Sequence, residues 1–223
     1  MPSSDGVIDT YTKLKDAVSA ETDGRANSAA LDRFINQAEG EIRAFLRVNP
    51  VRPMRERLTI TIDSEYLAAP GDMVRPIFVE VVDGTAKYKL PYVAPENLSG
   101  MQGKDTFETR PYAFTREGSD LRFYPEPVSS YSGTLFYFEE LPSLGDSSAT
   151  NWLLSDFPHV YQAGALYYAY RDMPDIEKAQ LMKGVFEEGL QMVAAAYPEP
   201  DNEVTLAVDP AITAAGARWS IYR

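Results

Sequence analysis

Residues 158–168 read Pro-His-Val-Tyr-Gln-Ala-Gly-Ala-Leu-Tyr-Tyr, a helical stretch with almost no polar face. A helix that is apolar nearly all round cannot lie on a surface and must be enclosed by other elements. The rest of the chain therefore has to supply apolar faces to surround it. Ser155 or Asp156 can cap the start of this helix, and Pro158 falls in its first turn, where a missing N–H costs nothing.

Three other segments carry such faces. Val7, Tyr11, Leu14 and Val18 recur at helical spacing with Asp9, Lys13, Lys15 and Asp16 on the opposite side, and residues 21–25 break the pattern. Leu31, Phe34, Ile35, Ala38, Ile42, Phe45 and Leu46 form a stronger stripe, which Asn27 or Ser28 can cap and Asn49-Pro50 stops. After Asp172-Met173-Pro174, the residues Ile176, Ala179, Met182, Phe186, Leu190, Val193 and Tyr197 make another stripe, closed by Pro198 and Pro200. No single stripe can bury itself, so the four helices predict one helical core.

Between the two helix pairs the period changes to two. Leu58, Ile60 and Ile62 alternate with Arg57, Thr59 and Thr61, the pattern of a half-buried strand. Residues 77–82 and 85–90 read as strands joined at Asp83-Gly84, a dipeptide suited to a type I′ hairpin. A second hairpin joins residues 112–116 to 121–124, and a last strand covers 134–139. Pro95-Glu96-Asn97-Leu98 suits a single helical turn. The predicted class is α+β. It has a four-helix core from residues 1–54 and 141–200, an inserted antiparallel β unit at 55–140, and an extended C-terminal arm at 201–223.

Chemistry is scarce. There is no cysteine and one histidine, His159, so a Ser–His–Asp site or a histidine metal site would have to be built around that residue alone. In the first turn of a buried helix it reads as a hydrogen-bonded structural residue. Glu139-Glu140 is a carboxylate pair, but neighbours on a strand point to opposite faces. Glu187-Glu188 reads as a solvated helix face, and Asp63, Asp72 and Asp83 as turn residues rather than a calcium loop. No phosphate-cradling glycine motif occurs, so no cofactor is expected. The N-terminus lacks a signal-peptide pattern and no apolar run reaches the roughly 20 residues of a membrane span. These features point to a soluble protein made in a reducing compartment.

The formal net charge is −12, which opposes a grip on phosphates. It serves solubility first, and it would also make an acidic wall past which DNA slides. The segment after Pro200 has no clear period over its whole length and carries many Ala. Val204, Leu206, Val208, Ile212, Trp219, Ile221 and Tyr222 look like anchors for another surface, with Arg218 and Arg223 beside them.

One phrase ties these elements together. Leu141-Pro142-Ser143-Leu144, then Asn151-Trp152-Leu153-Leu154, then Pro158-x-x-Tyr161-x-x-Gly164-Ala165-Leu166 resembles the signature of the bacteriophage head–tail adaptor family. Looser likeness extends over most of residues 7–197, and the segment after Pro200 lies outside it. The resemblance implies a virion structural protein, a ring of usually twelve copies. That ring docks under the portal protein, receives the tail or a stopper, and passes DNA without binding it specifically. It further implies that residues 204–223 dock on the portal, with Trp219 and Tyr222 as anchors. For Asn151, Trp152, Leu153, Leu154 and Tyr161 two readings stand: Trp152 plugs the core under the β unit, or it packs against a neighbouring subunit.

Two other functions compete. A Tyr-rich β unit suits a carbohydrate- or receptor-binding module, and distant carboxylates could assemble a hydrolase. Solution mass with and without portal protein separates the adaptor from a glycan binder.

Overall fold

The computed structural model describes residues 7–101 and 110–197. In chain order the elements are α1 Tyr11–Glu21, α2 Ser28–Val48, β1 Arg55–Ile62, β2 Tyr66–Ala68, β3 Met73–Asp83, β4 Ala86–Pro91, α3 Pro95–Met101, β5 Ala113–Glu117, β6 Asp120–Tyr124, β7 Tyr131–Glu139, α4 Trp152–Asp156, α5 Pro158–Asp172 and α6 Ile176–Ala196. The class is α+β. The arm residues Val204, Leu206, Val208, Ile212, Arg218, Trp219, Ile221, Tyr222 and Arg223 lie outside the described residues.

The apolar helix is enclosed as its composition demands. Val160, Tyr161, Ala163, Gly164, Ala165, Leu166, Ala169 and Tyr170 of α5 are buried. They share one apolar cluster with Tyr11, Leu14 and Val18 of α1, Phe34, Ile35 and Ile42 of α2, and Phe186, Leu190 and Val193 of α6. Small residues set how closely these helices approach. A Cβ on Gly164 would lie 2.8 Å from Ala38 and 2.9 Å from Phe186, and one on Gly189 would lie 2.9 Å from Val160. Phe186 of α6 thus seats on Gly164 of α5, and Val160 of α5 on Gly189 of α6.

Two helix starts and one buried face differ from expectation. The helix expected from Ser155 or Asp156 begins instead as a separate short helix, α4, capped by Asn151. Phe157 then precedes α5 and gives no side-chain cap. α1 starts at Tyr11 with Thr10 as its cap, so Val7 falls before the helix and is 57% exposed. On α6, Ile176 is 68% exposed and Gly189 joins the buried face, because α5 covers α6 mainly along the line from Ala179 to Val193.

The strands form two antiparallel sheets, ordered β1-β7-β3-β4 and β2-β6-β5. A parallel bridge between Tyr92 and Phe114 links them. Ile60, Ile62, Val79, Val81 and Leu90 of the first sheet and Phe114, Leu121 and Phe123 of the second share one buried cluster. The last strand, expected at 134–139, begins at Tyr131 and lies between β1 and β3. Its Gly133 leaves room for Ile62, 3.2 Å from where a Cβ would be.

β3 begins at Met73, not at residue 77. Pro76, which reads as a stop, is accommodated where the register shifts between Pro76 and Phe78. β2, three residues long, carried no readable alternation. The first hairpin loop is Gly84-Thr85, since Asp83 pairs with Ala86. Only Gly84 has a positive φ, +60°, which meets the requirement of a type II′ loop and not of I′.

Candidate assembly surfaces

Chain segments 140–151 return from β7 to the helices over a buried polar knot. Its first half is on α2. Glu39 is 3% exposed, accepts the Leu144 N–H at 3.0 Å and pairs with Arg43 at 2.5 Å. Arg43 in turn donates to the Leu141 carbonyl at 3.1 Å and to the Ser143 hydroxyl. Burial raises the Glu39 carboxyl above its ordinary pKa, against the pull of Leu144 and Arg43. One turn further on, Arg47 pairs with Glu140 at 2.5 Å.

Asn151 is the second half. Its carboxamide oxygen accepts the Leu154 N–H at 2.9 Å, which caps α4. Its NH2 donates to the Pro142 carbonyl at 2.9 Å and to the Tyr161 hydroxyl at 2.8 Å. Asn151 is 7% exposed and Tyr161 is wholly buried, with the phenol pKa pushed up by that burial. One side chain therefore joins the loop, α4 and α5. Leu153 and Leu154 are buried beside it. Trp152 is half-buried at the rim of the helical cluster, with its ring edge-to-face against Tyr197 at 6.3 Å. Tyr197 also packs on Phe157 at 5.9 Å and donates to Asp156 at 2.8 Å.

Sequence reasoning picked out Asn151 and Tyr161 from the family phrase but passed over Glu39 and Arg43. Their i, i+4 spacing was the available signal, yet it reads as an ordinary solvated pair until the loop lies over it.

The residues considered for catalysis are scattered. His159 is exposed and touches Phe157 by its ring at 6.1 Å, rather than taking the hydrogen-bonded place expected of it. Glu140 is tied to Arg47, while Glu139 lies near Asp72 and Glu56, which, after burial, help raise its pKa. Among the described residues no cluster of three or more potential ligands could hold a metal ion. None of the described helices is long and apolar enough to cross a membrane.

Among the described residues two surfaces stand out. On α6, Leu181, Val185 and Met192 form an outward apolar line, 63%, 39% and 50% exposed. The second is the outer face of the larger sheet. Register places Arg55, Phe138 and Arg75 in one row, at the end of the face where Phe138 is buried in the helical cluster. The next rows are Arg57, Phe136, Phe78 and Pro91, then Thr59, Thr134, Glu80 and Lys89, then Thr61, Ser132, Val82 and Lys87. Phe78 and Phe136 stack at 4.5 Å, and Lys89 sits 3.9 Å above the Phe78 ring. Five cations share this face with one acid, Glu80, which pairs with Lys87 at 3.0 Å. In a chain of net charge −12 such a basic face is an exception.

A family model described as SU10 adaptor protein matches residues 9–209. The chain belongs to this family of phage head–tail adaptors. Among curated proteins none matches it. The SU10 adaptor match reaches residue 209, so the resemblance does not stop at Pro200, and Val204, Leu206 and Val208 belong to the shared region. Membership establishes a structural role at the phage head–tail junction and a place in the virion.

Proposed function

We propose that this SU10 adaptor family member forms a ring, twelve copies by the family's usual count, that docks on the portal protein and receives the tail or a stopper. The observation that carries this reading is the family match across residues 9–209. In this reading the helices of residues 1–54 and 141–200 make the core of each subunit, and residues 55–140 are the insertion. The net charge of −12 fits a wall that lets DNA pass without holding it. Residues 204–223 carry apolar and aromatic anchors with Arg218 and Arg223, and act as the arm that engages the portal. An arm that orders on docking loses affinity to ordering entropy, which many copies in a ring offset by avidity. The protein has no catalytic role in this reading and needs no cofactor; it is made in the host cytoplasm before entering the virion.

Mass measurement of the purified protein with and without portal tests the proposal. A ring, or a complex that forms only with portal, is expected. A monomer that ignores portal overturns it. A monomer that ignores portal and binds glycans would favour the sugar-binding alternative, for which Tyr66 and Tyr92, 45% and 39% exposed, are the open rings of the β unit. Tyr131 and Tyr137 are buried, Tyr112 and Tyr124 pair edge-to-face, and Arg122 lies over Tyr66.

A further inference from the structure

β1 is an edge strand among the described residues, and both of its faces are open at one end. Residues Arg55 to Thr59 are all exposed, although they pair with β7. On the outer face Arg55 and Arg57 open the basic rows. On the inner face Leu58 is 42% exposed, although its neighbour Ile60 is buried. An uncovered edge with exposed apolar and cationic side chains is a site for one more strand.

The chain itself holds a segment of matching pattern. Glu199, Asp201 and Glu203 recur every second residue, followed by Val204, Leu206 and Val208 at the same period but opposite parity. Extended, such a segment shows acids on one face and apolar side chains on the other. Residues 199–209 contain the acids Glu199, Asp201, Glu203 and Asp209 and no Lys or Arg. The family match ends at residue 209, where this pattern ends.

The tether fits as well. α6 ends at Ala196, and Tyr197 after it packs against the helical cluster that also contains Val51 and Met54, just before β1. The Tyr197 hydroxyl, its pKa raised chiefly by its bond to Asp156, is close enough to Arg52 to feel that charge as an opposing influence. Eleven extended residues reach about 36 Å, and β1 from Arg55 to Ile62 runs only about 25 Å.

We infer that residues 199–209 add to the edge of β1 in the same chain, running parallel to it. Glu199, Asp201 and Glu203 then lie on the outer face beside Arg52, Arg55 and Arg57. Val204, Leu206 and Val208 come onto the inner face over Leu58. The direction follows from the tether, since the segment leaves α6 at the Arg55 end of β1. The added strand makes the sheet mixed, as many large sheets are. The portal-binding arm is thereby shortened to residues 210–223. The inference concerns the isolated chain and stands or falls without reference to portal.

The absence of cysteine allows a direct test. The full-length variant Leu206→Cys is labelled with a benzophenone maleimide, irradiated as a mixture of 14N- and 15N-labelled protein, and digested for mass spectrometry. The expected product is an intrachain cross-link to residues 55–62. Arg57→Glu in the same background should lower its yield about two- to fivefold, the scale of an exposed ion pair. Val208→Cys serves as a second attachment point should Leu206→Cys fold poorly. Interchain links to β1, links to Leu181 or Met192 on α6, or links without preference would each overturn the inference.

Discussion

Asn151 makes more bonds than its size suggests, and its loss should be felt accordingly. Alanine there removes a helix cap, worth about 1 kcal/mol, and strands the Tyr161 hydroxyl and Pro142 carbonyl at about 1 kcal/mol each. Denaturant unfolding of Asn151→Ala should show a loss of about 3 kcal/mol. A loss below about 1 kcal/mol would mean that the hub is not shared as its geometry indicates. Glu39 sets a pH dependence of opposite sign to the usual acid. Burial raises its folded pKa above the ordinary 4.5, so the folded state holds its proton more tightly than the unfolded chain. Its contribution to stability is therefore fullest below that ordinary value and declines as pH rises through the folded pKa. Stability measured against pH for Glu39→Gln and the parent should diverge in the variant's favour across that window. A pH-independent difference would show that burial does not govern this carboxyl. Asp32 acts the other way. The Tyr11 hydroxyl bond lowers its pKa, and what it adds is lost as pH falls through the folded pKa.

At the scale of elements, glycine separates packing from propensity. Gly164 has Ala38 and Phe186 within 3 Å of a would-be Cβ, whereas Gly184 on α6 has nothing within 4 Å. Gly164→Ala should cost about 1–3 kcal/mol despite the better helix former. Gly184→Ala should stabilise by about 0.5–1 kcal/mol. Thermal melts of the two variants check both signs, and equal shifts would refute the close approach of α5 to α2 and α6. The helices were legible because each carries a long apolar stripe: Leu31 to Leu46 of α2 is buried nearly as its spacing foretold. The strands were less so. β2 is too short to show alternation, Pro76 hides the start of β3 behind a register shift, and β7 alternates in burial along most of its length while Phe136 and Phe138 on its outer face mask that period in the sequence.

For the whole molecule, the proposed portal contact belongs to a part of the chain separate from the core. Deleting residues 210–223 should leave circular dichroism and melting unchanged and abolish portal docking. Docking at normal strength after the deletion would place the contact elsewhere. The family role and the acidic balance were readable from residues alone, since a phrase and a charge total need no coordinates. So were the enclosed α5 and its Asn151–Tyr161 phrase, because an all-round apolar helix has one physical solution. The bonds made by that phrase were not. Glu39 meets the Leu144 N–H across 105 residues, and Asn151 caps α4 where Ser155 or Asp156 had the better local claim. The basic face is likewise a product of register, since Arg57, Phe78 and Lys89 are brought near one another only by β7 and β3 lying between them. Periodicity acts within one element and survives in the sequence. Partner choice between distant elements depends on which surfaces pack, and only the tertiary structure decides that.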